Sequence, residues 1–146
     1  MKGDDTILVI TRVFEAPAER VFDAWLTREE WQSWIGPEGV NCDVHLLDAR
    51  VDGCYRLTMH VSGQAPIAVA GVFQIIDRPR LLSFTWGAEG DPTRQSLVTL
   101  TFLELQSGTE MTLRQEGLGS AANREQFGRG WNSAFNKLVR YLEHNS

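Results

Sequence analysis

The sequence lacks the features of membrane-spanning and secreted proteins. No apolar run approaches the ~18–20 residues that a membrane-spanning helix needs, and Met1 to Asp5 show no charged-then-apolar signal pattern. Basic residues are also few, with 14 Lys and Arg against 19 Asp and Glu and a formal net charge of −5. Because no basic run stands out, we expect a cytoplasmic protein that binds neither nucleic acid nor a membrane surface.

Cysteine and histidine are scarce as well. Two cysteines, Cys42 and Cys54, are too few for a disulfide framework, and their spacing matches no zinc pattern. His45, His60 and His144 lie far apart in the sequence, and none is spaced four residues from another histidine or a cysteine. Since a metal site needs three or four converging donors, we expect two reduced thiols and no metal.

Catalytic and cofactor motifs are missing, with one partial exception. The sequence contains no G-x-S-x-G and no phosphate loop. Residues 117–122 read GLGSAA, a match to G-x-G-x-x-A between a predicted strand and a predicted helix. That helix extends to the end of the sequence, so no second parallel strand completes a dinucleotide-binding unit. We interpret the glycines as a turn and expect no cofactor.

The first third of the sequence predicts a strand and two short helices. Thr6 to Phe14 is rich in β-branched and apolar residues, which favours a strand. A first helix follows, with apolar residues at helical spacing: Val21, Phe22, Trp25 and Leu26. Thr27 and Glu30 match the capping box of a second helix, which Gly36-Pro37 would end.

The middle of the sequence predicts a run of antiparallel strands. Apolar and polar residues alternate with period two, which is typical of strands with one buried face. Val44 to Leu47 is a short strand, and Phe73 and Ile75 flank Gln74. The apolar residues that alternate with polar ones are Tyr55, Leu57, Met59 and Val61; Leu82, Phe84 and Trp86; Val98, Leu100 and Phe102; and Met111 and Leu113. Turns or bulges are expected at Gly53, Gly63, Gly71, Gly90 and Gly108, and at Pro79 and Pro92.

A long helix is predicted at the end of the chain. One apolar stripe comprises Phe127, Trp131, Ala134, Phe135, Leu138 and Leu142. With Asn123 as its cap, a helix from Asn123 to Glu143 would be about 30 Å long. Because it alone is long enough to cover the sheet, the sequence predicts one α+β domain over residues 1–146, with six to seven strands under a C-terminal helix.

Six segments carry a family resemblance: Ile10 to Pro17, Val21 to Trp25, Trp34 to Pro37, Asp48 to Gly53, Pro79 to Trp86, and Gly130-Trp131. Together they resemble the START-like (SRPBCC) superfamily, and within it the family named for the activator of the heat-shock-protein-90 ATPase. The resemblance implies a helix-grip fold with a cavity between sheet and helix, which in the superfamily holds lipids, sterols, hormones or polyketides. Gln115 stands where the family often has a histidine, and a glutamine cannot change charge.

A candidate cavity follows from the inward rows and the last helix. Its predicted lining is Trp34, Leu57, Met59, Phe73, Phe84, Trp86, Leu100, Phe102, Met111, Leu113, Gln115, Trp131 and Phe135. Trp34 and Trp86 are expected near its mouth, because a tryptophan ring suits an apolar ligand with a polar tip. A buried amide at Gln115 needs a ligand, a backbone group or a water as partner. Tyr55 or Arg56 would join it at the polar end, and the alternative is a core that these side chains fill completely.

Three functions are compatible with these residues. The first is binding of a small hydrophobic molecule in the cavity. The second is a protein-interaction role resembling the co-chaperone members of the family, with a chaperone as partner, and the apolar strand Thr6 to Phe14 would also allow a homodimer. The third is a polyketide cyclase- or dehydratase-like enzyme. That chemistry needs a positioned acid or base, and inward titratable residues are scarce, so we expect no catalytic residue.

Overall fold

The computed structural model describes residues 6–91 and 95–144 and has the helix-grip architecture that the sequence predicts. Its elements are β1 (Ile7–Phe14), α1 (Ala18–Leu26), α2 (Arg28–Trp34), β2 (Asn41–Leu47), β3 (Cys54–His60), β4 (Ile67–Asp77), β5 (Leu81–Ala88), β6 (Gln95–Leu105), β7 (Gly108–Glu116) and α3 (Ala121–His144). The seven strands form one antiparallel sheet in the order β1-β7-β6-β5-β4-β3-β2. Among the described residues, no helix is both long and apolar enough to span a membrane.

The register of the sheet explains the period-two pattern. Leu82 on β5 lies opposite Leu100 on β6, which lies opposite Leu113 on β7, which lies opposite Ile10 on β1. All four side chains are buried, so they form one row across the inner face. Of their sequence neighbours, Val9, Thr11, Thr101 and Arg114 are exposed, as alternation along a strand requires.

Helix α3 covers the inner face along the predicted stripe, with Trp131, Ala134 and Phe135 among its buried residues. It has 24 residues and is therefore about 36 Å long. The predicted cap at Asn123 is wrong, because the helix begins at Ala121 and the Ser120 hydroxyl accepts the Asn123 backbone N–H at 3.1 Å. The Asn123 amide instead donates to the Leu118 carbonyl at 2.9 Å.

Helix α2 begins and ends where the sequence predicts, but the capping box is not formed. The Thr27 hydroxyl donates to the Asp23 carbonyl of α1 at 3.0 Å and does not cap α2. The Glu30 carboxylate lies 2.5 Å from the Arg20 guanidinium and accepts a hydrogen bond from the Tyr141 hydroxyl at 3.1 Å. A charged partner attracts a carboxylate more strongly than a backbone N–H, so the side chain is held there.

Gly71 was predicted to mark a turn or bulge, and this prediction is wrong, because the residue lies within β4. A Cβ atom at Gly71 would lie 1.9 Å from the Thr85 carbonyl oxygen and 2.6 Å from the Tyr55 ring. Glycine is therefore required for close packing, since it lets Tyr55 lie across the strand. The other predicted turn glycines lie between strands or at a strand end, and Pro92 lies outside the described residues.

Candidate ligand-binding pocket

Most of the predicted lining residues lie in the core. Ten of the thirteen are at most 5% exposed and do not line the pocket described below: Trp34, Leu57, Phe73, Phe84, Leu100, Phe102, Met111, Leu113, Gln115 and Phe135. The other three, Met59, Trp86 and Trp131, line a pocket. Contact of any of the thirteen with a ligand stays a prediction.

Aromatic rings fill the centre of the space between the sheet and α3. The ring centroid of Trp25 lies 4.7 Å from that of Trp34, 6.0 Å from that of Phe84 and 5.8 Å from that of Trp131. Trp34, expected near the mouth, is fully buried, and its indole N–H donates to the Ala24 carbonyl at 3.1 Å. The open space is therefore displaced from the middle of the sheet.

A pocket of about 410 Å³ lies where the first half of α3 faces β3, β4 and the α2–β2 loop. This volume is within the range of small-molecule sites. The lining consists of Ile35, Gly36, Pro37, Val40, Met59, Val61, Gln64, Ile67, Val69, Trp86, Gln126, Phe127, Gly130, Trp131 and Ala134. All of these residues are described, and apart from the indole N–H groups of the two tryptophans only two of them, both glutamines, have polar side chains.

The polarity of the pocket changes with depth. Its floor consists of Trp86 and Trp131, whose ring centroids lie 5.2 Å apart and whose residues are 6% and 4% exposed. Its rim includes Gln64, between β3 and β4, and Gln126, on α3, both of which are exposed to solvent. The pocket therefore offers apolar ring faces at depth and amide groups at the surface.

A chain of hydrogen bonds lies beneath the floor. The Trp131 indole N–H donates to Gln115 Oε1, Gln115 Nε2 donates to Ser96 Oγ, and Ser96 Oγ donates to the Trp86 carbonyl, each at 2.8 Å. Gln115 is fully buried and Ser96 is 7% exposed. The partners of the Gln115 amide are thus two side chains, where the sequence analysis expected a ligand, a backbone group or a water. Ser96 was missed, although its inward position on β6 was a readable signal.

The residues expected at the polar end of a cavity lie elsewhere. The Tyr55 hydroxyl donates to the Thr85 carbonyl at 2.6 Å, and burial raises the pKa of Tyr55 well above its usual value. Arg56 points to the outer face, where its Nε lies 3.4 Å from the Glu89 carboxylate. Neither side chain lines the pocket.

The α2–β2 loop, which forms one wall of the pocket, is held to α3. Lys137 Nζ donates to the Ile35 carbonyl at 3.2 Å and to the Pro37 carbonyl at 3.4 Å. The backbone N–H of Glu38 donates to Ser133 Oγ at 2.7 Å. Partial burial lowers the pKa of Lys137, and the two carbonyl partners offset part of its lost hydration.

Twelve of the fifteen lining residues were not predicted from the sequence to belong to a site. Some of them lie in segments that the sequence analysis had singled out for another reason. Ile35, Gly36 and Pro37 belong to one segment that carries the family resemblance, and Gly130 belongs to another. Val61 belongs to a predicted strand row, and Phe127 and Ala134 belong to the apolar stripe of the predicted last helix. The remaining five had no signal, because the pocket arises where a loop and a helix diverge from the sheet. Among the described residues, no group of three or more His, Cys, Asp or Glu side chains could hold a metal ion.

Comparisons with known proteins agree with this architecture. The family model of "Activator of Hsp90 ATPase homolog 1-like protein" matches residues 15–143. No curated protein matches the chain. A crystal structure from Chromobacterium violaceum is similar at 27% identity and a TM-score of 0.84, over 92% of this chain and 95% of that one. Another, a protein called AHSA1 from Silicibacter pomeroyi, is similar at 24% identity and a TM-score of 0.82, over 96% and 99%.

A crystal structure from Mycobacterium smegmatis is similar at 24% identity and a TM-score of 0.84, over 98% of this chain and 94% of that one. At 24% identity, the similarity to the Silicibacter pomeroyi and Mycobacterium smegmatis structures shows only that the fold is shared. The family model is the stronger finding, because it extends from the end of β1 almost to the end of α3. The chain therefore belongs to the family of activator of Hsp90 ATPase homolog 1-like proteins, within the START-like superfamily.

Proposed function

We propose that this protein binds a small hydrophobic molecule in the pocket between α3, the α2–β2 loop and the β3–β4 hairpin. The observation that carries the proposal is the apolar pocket of about 410 Å³ with Trp86 and Trp131 as its floor. Two tryptophan rings offer a large contact area for a ring or chain. Met59, Trp86 and Trp131 would contact the ligand, and the other ten predicted residues would support the floor from the core.

The other candidate functions have less support. A protein-interaction role like the one in the family description is favoured by Val9 and Val13, which are 57% and 53% exposed on the edge strand β1. A chaperone or a second copy of the chain would then be the partner. A cyclase-like reaction needs an acid or base at the substrate. None of the lining residues, all of which lie in the described part of the chain, has a titratable side chain.

Native mass spectrometry of protein freshly purified from cells tests the proposal. We expect an adduct of a few hundred daltons that disappears on denaturation. A clean ligand-free mass, together with no binding of apolar ring compounds by fluorescence titration, would refute small-molecule binding and favour the protein-interaction role.

A matched pair of α3 variants locates the site. A Cβ atom at Gly130 would lie 4.0 Å from Pro37 Cγ, an ordinary contact, so Gly130→Phe can place a ring in the pocket. Replacing a helical glycine also improves helix propensity, which favours folding of the variant. Arg129 is exposed next to it, and Arg129→Phe adds the same ring outside the pocket. We expect Gly130→Phe to lose the adduct and Arg129→Phe to retain it.

A further inference from the structure

The two tryptophans on the pocket floor differ in the state of their indole N–H groups. The Trp131 N–H donates to Gln115 at 2.8 Å. The Trp86 N–H donates to no group in the part of the chain that the structure describes. The N–H groups of Trp25 and Trp31 also lack a partner, but they are enclosed in the core, whereas that of Trp86 is accessible.

The position of Trp86 connects this accessible N–H with the pocket. The residue is only 6% exposed, and it lines the pocket beside Trp131. Its ring also packs against Trp31 and Tyr55, with centroids 6.5 Å and 6.1 Å away, and both of these side chains are fully buried. Since the core closes that side of the ring, the free donor is reached through the pocket.

Filling the pocket would change the surroundings of this N–H. An indole nitrogen donates one hydrogen bond and accepts none. A ligand that excludes water from the donor and places a carbon atom against it leaves it unpaired, which is unfavourable, whereas an acceptor atom replaces the lost hydration. The contact with Trp86 therefore distinguishes ligands that are alike in shape and size.

We infer that the Trp86 indole N–H determines specificity, and that the pocket selects apolar ring compounds with a hydrogen-bond acceptor, such as a ring nitrogen or a carbonyl oxygen, at their inner end. This inference rests on the proposed binding function and adds to it the chemical class of the ligand. Contact with the two indole rings gives affinity, and the acceptor decides between ligands of equal size.

Hydrogen exchange tests the free donor without any ligand. In the other four tryptophans the indole N–H is either hydrogen-bonded or enclosed in the core. Two-dimensional proton–nitrogen NMR should therefore show rapid exchange with water for the assigned Trp86 indole signal and slow exchange for the rest. Exchange at Trp86 as slow as at the others would overturn the inference.

Naphthalene, quinoline and isoquinoline test the selection, because they share shape and size and only the last two carry an acceptor. All three are uncharged at neutral pH. NMR titration of wild type and of Trp86→Phe gives their dissociation constants. The smaller ring removes contact area from all three compounds alike, so the affinity of the tighter-binding nitrogen isomer relative to naphthalene isolates the donor. We expect this ratio to fall about fivefold in the variant, equivalent to ~1 kcal/mol.

The outcomes separate the inference from the function on which it rests. If only naphthalene binds, or if the ratio is the same in both proteins, the inference is overturned and the binding function stands. If none of the three compounds binds wild type, the binding of ring compounds fails and the inference fails with it. If Trp86→Phe does not fold, the wild type decides. At saturation a nitrogen isomer should move the Trp86 indole proton signal further downfield than naphthalene does, and equal shifts would overturn the inference.

Discussion

Replacing Gln115 by leucine should destabilise the protein although it makes the core more apolar. The side chain is fully buried and is the acceptor for the Trp131 indole N–H, while its own amide donates to Ser96. Leucine leaves the indole N–H without a partner, which costs ~1–3 kcal/mol. Ser96 loses the hydrogen bond from the Gln115 amide, but this costs less, because its hydroxyl still donates to the Trp86 carbonyl. For a chain of this size the melting temperature should fall by roughly 2–12 °C.

A double-mutant cycle distinguishes a lost hydrogen bond from poor packing. Trp131→Phe removes the donor, so Gln115→Leu should cost less in that background than in the wild type, by about 1 kcal/mol or more. Urea unfolding followed by far-ultraviolet circular dichroism avoids the changed tryptophan fluorescence. The reasoning is refuted if Gln115→Leu stays within about 0.5 kcal/mol of wild type and the two substitutions are additive.

The remaining predictions concern the core and the thiols. Gly71→Ala should lower the free energy of unfolding by roughly 2 kcal/mol or more, because the added Cβ meets a backbone carbonyl that cannot move aside. A melting temperature equal to that of the wild type would contradict this. Thr109→Val should cost ~1 kcal/mol, because the buried hydroxyl donates to the Ala16 carbonyl at 2.7 Å; Thr109→Ser, which keeps that bond, is the control. Burial raises the pKa of Cys42 to about 11, so only the exposed Cys54 should react rapidly with Ellman's reagent at pH 8. Rapid reaction of both thiols would contradict this prediction. The unfolded chain releases the Cys42 proton at lower pH than the native protein does. The free energy of unfolding, measured by urea unfolding at a series of pH values, should therefore fall through this group as the pH rises from about 9 to about 11.

The sheet and the long helix were predictable because their patterns report burial directly. Leu100 and Leu113 face the core from adjacent strands, and Trp131 and Leu138 face it from α3, so apolar spacing alone identified both elements. The caps were less predictable. Ser120 and Asn123 are both good capping residues, and the sequence preference does not decide which of them begins the helix.

The pocket was harder to predict than the fold, because it depends on where elements do not touch. Inward residues such as Phe84 and Phe102 pack against other rings, and the same alternation would describe a lined cavity or a filled core. Space remains where Gly130 has no side chain opposite Pro37. Such a gap depends on the distance between α3 and a loop in the folded chain. The spacing of apolar residues and the helix or strand propensity of the sequence do not report that distance.

The hydrogen bonds between the α2–β2 loop and α3 have a mechanical consequence. Lys137 and Ser133 couple Ile35, Pro37 and Glu38 to the helix, so one wall of the pocket and its helical side form a single stiff unit. The opposite wall is the tip of the β3–β4 hairpin, which is closed by its own turn bond from Gln64 to Val61. We therefore expect a ligand too wide for the pocket to displace the hairpin before it displaces the helix.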